Sequence, residues 1–191
     1  MHIPGLGTVT EDPELGWYVS EPIPIAMLDG KPCRVMLDEY EDDPDREQID
    51  AVIRGFLAAD PSVLRAAEPY LFAYYRDCRR NGVTGLDLRS PRDVWRHVQL
   101  GDEPAIGRDG DDPRHVYVSL EGECDWEPEH GLQIVLENGV RVCKVGPFDG
   151  HMTNASAYGD ERLRDVVYQG SDAASGGGAP PGGKQPWWKL W

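Results

Sequence analysis

Positive charge is scarce in this sequence: 19 lysines and arginines stand against 34 aspartates and glutamates, a formal net charge of −15. A surface that negative repels phosphate backbones and anionic headgroups, so neither nucleic acid nor a membrane surface is an expected partner. Long apolar runs are missing too, and no stretch nears the roughly 20 residues of a membrane span. The opening MHIPGLGTVTEDPELG has no basic region followed by an apolar one, so no secretory signal is expected. The four cysteines (Cys33, Cys78, Cys124, Cys143) are widely spaced, with no CxxC and no zinc-finger pairing. Free thiols in a reducing cytoplasm are the reading, and the cytoplasm is the expected location. The five histidines form neither HExxH nor HxH. Walker loop, nucleophile elbow and kinase motifs are absent, and Gly5-Leu-Gly7 supplies only two glycines of a phosphate-binding fingerprint. No cofactor is expected.

What is present points to one α+β domain over residues 1–168, mainly antiparallel sheet with two central helices packed on one face. Trp17-Tyr18-Val19 reads as a strand. Ile23, Ile25 and Met27 alternate with Pro22 and Pro24, which confines that segment to a sheet edge. Asp29-Gly30 marks a turn, and Cys33 to Leu37 should return antiparallel. The period then changes to helical. Ile49, Val52, Ile53, Phe56 and Leu57 form one stripe, with Asp43-Pro44 as cap and first-turn proline. A second helix after Asp60-Pro61 carries Val63, Ala67, Tyr70, Leu71, Tyr74, Tyr75 and Cys78 on one face, and Pro69 should kink or split it near Glu68. Asn81-Gly82 should stop it, and Ser90 to Asp93 reads as a capping box.

From His115 onward the pattern is strand-like. Asn138-Gly139 predicts a type I′ hairpin that pairs Ile134 with Cys143 and Val135 with Val142, central and covered on both faces. A short final helix is expected around Glu161 to Tyr168. After it comes a Gly/Pro/Ser-rich linker, 169–183, and then a Trp-rich motif, 184–191.

Candidate sites are few. Between Asp38 and Asp50 lie eight acids (Asp38, Glu39, Glu41, Asp42, Asp43, Asp45, Glu47, Asp50) and a single base, Arg46. Helix N-termini favour anions, which accounts for some of them, and the rest suit a docking patch for a basic protein. Trp187, Trp188 and Trp191 are the candidate anchors of a tethered partner-binding motif. Glu129, His130, Asp149 and His151 have the chemistry of a metal or acid–base site. Glu129 and His130 are adjacent, however, and point to opposite faces if extended. A structural role is therefore expected, with both histidines bonded to backbone in turns and Trp126 packed over them. No metal site is assigned. Asp109-Gly-Asp111-Asp112 starts like a calcium loop but has Arg114 at its sixth position and Leu120 at its twelfth, so a solvated acidic turn is expected.

The segments CDWEPEHGLQIVLENG and KVGPFDGHMTN, with AEPYLFAYYRDC before them, resemble the bacterial family known as domain of unknown function 6985. The resemblance spans roughly residues 5–168 and rests on Trp126, Glu127, Glu129, His130, Gly131, Asp149, Gly150 and His151. It implies no established activity. By analogy of size and style it implies kinship with immunity proteins, small acidic proteins that neutralise a bacterial toxin by binding it. The expected function is a protein-binding module, immunity-like, that occludes a basic partner such as a toxin. Two alternatives stand beside it: a metal-assisted or acid–base hydrolase using Asp149, His151 and Glu129 or His130, and an adaptor acting through its C-terminal tryptophans.

Overall fold

Chain direction is set by where alternation gives way to turn residues and where period two gives way to 3.6. The structure is a computed structural model and describes residues 1–14 and 16–170. Its strands are β1 (His2–Ile3), β2 (Gly7–Glu11), β3 (Tyr18–Ser20), β4 (Ile23–Ile25), β5 (Lys31–Cys33), β6 (Met36–Leu37), β7 (Val98–Leu100), β8 (Ala105–Asp109), β9 (Asp112–Cys124), β10 (Leu132–Glu137) and β11 (Arg141–Gly146). The helices are α1 (Arg46–Ala58), α2 (Ser62–Arg65), α3 (Glu68–Arg80) and α4 (Asn154–Tyr158). In the described residues one nine-stranded sheet runs β1-β2-β3-β6-β8-β9-β10-β11, with β7 added beside β9. Strands β4 and β5 form a separate hairpin, Pro24 opposite Pro32. Two prolines facing each other add no ladder donors there, so the pair stays apart as an edge.

All pairings within the nine-stranded sheet are antiparallel except β6 with β8. A parallel pair needs a crossover, and the helical segment between β6 and β8 supplies it. Helix α1 packs on β8 and β9, and α3 on β11. The stripe Ile49, Val52, Ile53 and Phe56 is buried as its spacing predicts. The second helical region divides before Glu68, with Pro69 in the first turn of α3, where its missing N–H costs nothing. Tyr70 is exposed rather than part of the buried stripe, which is Leu71, Tyr74 and Tyr75.

Three expectations need correction. The cap of α1 is Asp45, whose side chain accepts from the Gln48 amide, not Asp43. The Asn138-Gly139 turn exists, but Val140 joins it. Glu137 therefore pairs with Arg141 and Leu136 with Val142, and a bulge then puts Val135 opposite Lys144. Gly139, at φ 76°, lies against α1; a Cβ there would meet the Val52 carbonyl oxygen at 3.0 Å. This hairpin is covered on both faces, yet only β10 is interior, since β11 ends the strand order. In place of one final helix there are two short turns of helix, α4 and a 3₁₀ turn at Glu161–Leu163.

The main core lies between the sheet and the helices, with Trp126 fully buried there, edge-on to Tyr74 and Tyr75. On the opposite face a smaller cluster of Tyr117, Val135 and Cys143 packs under Met152. The segment after β11 covers that face. It then bonds to β11 through the Val145 amide and the Val167 carbonyl (2.7 Å), and to α3 through the Tyr168 hydroxyl and Asp77 (3.0 Å).

Candidate binding site

The acidic run falls on the loop from β6 into α1, and its members part into two groups. Asp43 faces inward with its side chain only 5% exposed, and the Arg108 guanidinium grips both its oxygens, at 2.5 and 2.9 Å. The same guanidinium donates to Gln48 Oε1 (2.7 Å) and to the Pro113 carbonyl (2.8 Å), tying the loop to the β8–β9 hairpin. The bonds from Arg108 hold the Asp43 carboxyl below its usual range. Asp50 accepts from the Tyr40 hydroxyl (2.8 Å) and Glu41 from the Tyr18 hydroxyl (2.6 Å). Glu39, Glu41, Asp42, Asp45 and Glu47 remain exposed, while Asp38 is half-buried at the foot of the loop. Glu39 sits at φ 52°, a left-handed conformation unusual for its type.

The candidates for a metal or acid–base site, Glu129, His130, Asp149 and His151, separate. Glu129 and His130 lie in the turn after β9, where His130 Nδ1 is 3.3 Å from Glu127 Oε1. Ligand atoms of Glu127, Glu129 and His130 all lie within 4.8 Å of one another, the one such group among the described residues, and Glu129 and His130 are exposed. Asp149 and His151 are not part of it. Asp149 instead forms an ion pair with Lys144, a lysine whose side chain is only 2% exposed. Lys144 also donates to Gln133 Oε1 (3.1 Å) and the His151 carbonyl (2.9 Å), while the His151 amide donates to Asp149 (2.9 Å). Burial pushes the Lys144 ammonium toward its neutral form, and Asp149 opposes it. The backbone of His151, rather than its ring, makes these bonds. Trp126 is fully buried in the core between the sheet and the helices.

The expected solvated turn at Asp109-Gly-Asp111-Asp112 is instead a tight two-residue hairpin loop whose flanking acids are buried. Asp109 accepts from the Asp111 amide (3.0 Å), the Met152 amide (3.2 Å) and the Ser156 hydroxyl (2.5 Å). Asp112 pairs with Arg164 and accepts from Arg114 (3.1 Å), Tyr117 (2.9 Å) and His115 (2.8 Å). Burial alone would raise its pKa, but hydrogen bonds from His115, Tyr117 and Arg114 and the Arg164 charge outweigh it and hold the carboxyl far below its ordinary range. Arg164 lies 5.9 Å from the Tyr117 ring centre. The sequence held one overlooked signal for this face: a lone lysine inside the apolar run Val142-Cys143-Lys144-Val145, which an antiparallel strand covered on both sides can only bury. Arg108 and Arg164 had no such signal, because their partners are remote in sequence.

Trp187, Trp188 and Trp191, with the linker from 171 onward, lie outside the described residues. No helix among the described residues is long and apolar enough to cross a membrane.

No curated protein and no solved structure matches this chain. A family described as "Domain of unknown function (DUF6985)" does match, over residues 5–152, from the first strands through the Asp149-Gly150-His151 turn. That span takes in the acidic loop, the helices on the sheet and both halves of the buried Lys144–Asp149 pair, and by it the chain belongs to the DUF6985 family.

Proposed function

We propose that this protein is a cytoplasmic binding module that captures a basic protein partner by occlusion, in the manner of immunity proteins that neutralise a toxin. One observation carries the reading. Arg108 pins the acidic loop from within through Asp43, so that Glu39, Glu41, Asp42, Asp45 and Glu47 stand exposed on a fixed frame. A fixed patch of one sign, on a chain of net charge −15, accelerates encounter with a basic surface. Because the loop is already ordered, less conformational entropy is lost on binding. In this reading Trp187, Trp188 and Trp191 supply the apolar anchors that the patch lacks.

The test is capture of a partner from the source organism, followed by binding kinetics at two salt concentrations. Neutralising Glu39→Gln, Glu41→Gln and Asp42→Asn together leaves Asp43 and the Asp45 cap intact. Association should slow by about tenfold or more, with dissociation changed less. An acidic partner, or kinetics indifferent to both salt and the triple substitution, rejects the proposal.

A further inference from the structure

The second face of the sheet is covered by a strap, residues 149–166, that rests on polar groups more than on apolar ones. Beneath it the apolar cluster is Tyr117, Val135 and Cys143, packed under Met152. A buried polar row crosses three strands on the same face: Ser119 of β9, Gln133 of β10 and Lys144 of β11. Gln133 donates to Ser119 Oγ (3.0 Å), and Lys144 donates to Gln133 Oε1 (3.1 Å). We propose that this strap opens and closes as a unit while the sheet and its helices stay folded, uncovering that polar row.

The ties between strap and sheet are polar or charged. Asp149 pairs with Lys144, and the Ser156 hydroxyl and the Met152 amide both donate to Asp109. Arg164 pairs with Asp112, 3.6 Å from Glu137 and 2.9 Å from His115 Nδ1. When such groups part, both partners return to water and recover their hydration, so a buried ion pair adds little net resistance to opening. Apolar contacts supply most of that resistance, and segments with few of them open at a lower free energy than the whole domain. The strap is also bonded within itself. Thr153 and Ser156 form a capping box, and Asn154 Nδ2 donates to the Val166 carbonyl (2.7 Å), joining its helical turn to its far end. Both ends are held: one by β11, the other by Val167 and Tyr168, which pack on the main core. The Tyr168 ring lies 5.6 Å from that of Tyr74. Movement between two fixed ends is therefore movement of one piece.

Two buried thiols report on this opening. Cys143 lies under the strap, its sulfur 3.7 Å from the Met152 carbonyl oxygen, while Cys124 lies in the main core. The full chain is labelled with iodoacetamide in native buffer, and the rate at each thiol is read by mass spectrometry. Each rate is divided by that of the same thiol in the urea-unfolded chain. Cys143 should label faster than Cys124 by about tenfold or more. Its rate should also rise less steeply with urea below the transition, because opening the strap exposes less surface than unfolding. Ile53→Val, in the core that stays folded, should raise the Cys124 rate about two- to tenfold and leave the Cys143 rate unchanged. Arg164→Ala should raise the Cys143 rate by about threefold or more. If that variant does not fold, Ser156→Ala, which removes the hydroxyl bond to Asp109, should act in the same direction. Equal rates at Cys143 and Cys124, or an equal response to Ile53→Val, would mean that the strap parts only with global unfolding and would overturn the proposal. A fast Cys143 rate that no strap substitution changes would mean that β11 frays alone at the sheet edge, which overturns it as well.

Discussion

Lys144 is the residue whose burial is hardest to sustain. An ammonium removed from water is tolerated only when paired and fully hydrogen-bonded, and here Asp149, Gln133 and the His151 carbonyl do both. Lys144→Met would leave the Asp149 carboxylate without its cation, and should cost about 3–5 kcal/mol in urea unfolding. Replacing both, Lys144→Met with Asp149→Leu, should recover much of that loss. His151→Ala should cost under about 1 kcal/mol, since the backbone at 151 carries the bonds. A loss from His151→Ala equal to that from Lys144→Met would refute this division of labour.

Asp112 gives a pH-dependent counterpart. Its carboxyl is held well below the ordinary range in the folded chain, so its contribution is fully present above the unfolded value, about pH 4. As pH falls further, toward the depressed folded value, that contribution is lost. The stability gap between the native chain and Asp112→Asn should therefore be wide at pH 7 and narrow steadily below pH 4, measured by denaturant unfolding. A gap that is constant with pH would mean the Arg164 and Tyr117 contacts contribute nothing.

At the scale of elements, the loop from β6 into α1 combines two kinds of acid that look alike in sequence. Asp43 is clamped by Arg108, while Asp42 beside it is exposed. Asp43→Ala should cost about 2–4 kcal/mol, because it strands a guanidinium that is itself only 15% exposed. Asp42→Ala should change stability by less than about 0.5 kcal/mol. Equal costs in thermal or urea unfolding would remove the rigid frame on which the proposed docking patch depends. The hairpin teaches a similar lesson. Asn138 and Gly139 do take positive φ, 52° and 76°, as a type I′ turn requires. Yet Gly139 seats against α1, Val140 is drawn into the loop, and a bulge follows, so tertiary packing overrode the two-residue register.

For the whole molecule, a net charge of −15 is a standing self-repulsion. Salt screens exposed charges more than buried pairs such as Lys144–Asp149 and Arg108–Asp43. The melting temperature should therefore rise between about 0.01 and 0.15 M salt, by roughly 2–4 °C for each kcal/mol of repulsion relieved. A fall over that range would mean that exposed ion pairs outweigh the repulsion.

The sequence by itself determined what local chemistry controls: the helical stripe of α1, the break before Pro69, the Ser90 capping box, the presence of the Asn138-Gly139 turn, and an α+β class with mainly antiparallel sheet. Each depends on residues within a few positions of one another, where spacing is a direct record of geometry. Tertiary structure alone decided which of the clustered acids are structural. Asp43 is bound because Arg108, 65 residues away, reaches it, and Asp149 because Lys144 is buried beside it. Tertiary structure also separated Glu129 and His130 from Asp149 and His151, and brought Trp17, Asp38, Asp109 and His151 around one cavity. A carboxylate's role is set by the charge that faces it, and in a sheet that charge arrives from remote strands, where composition and period leave no trace.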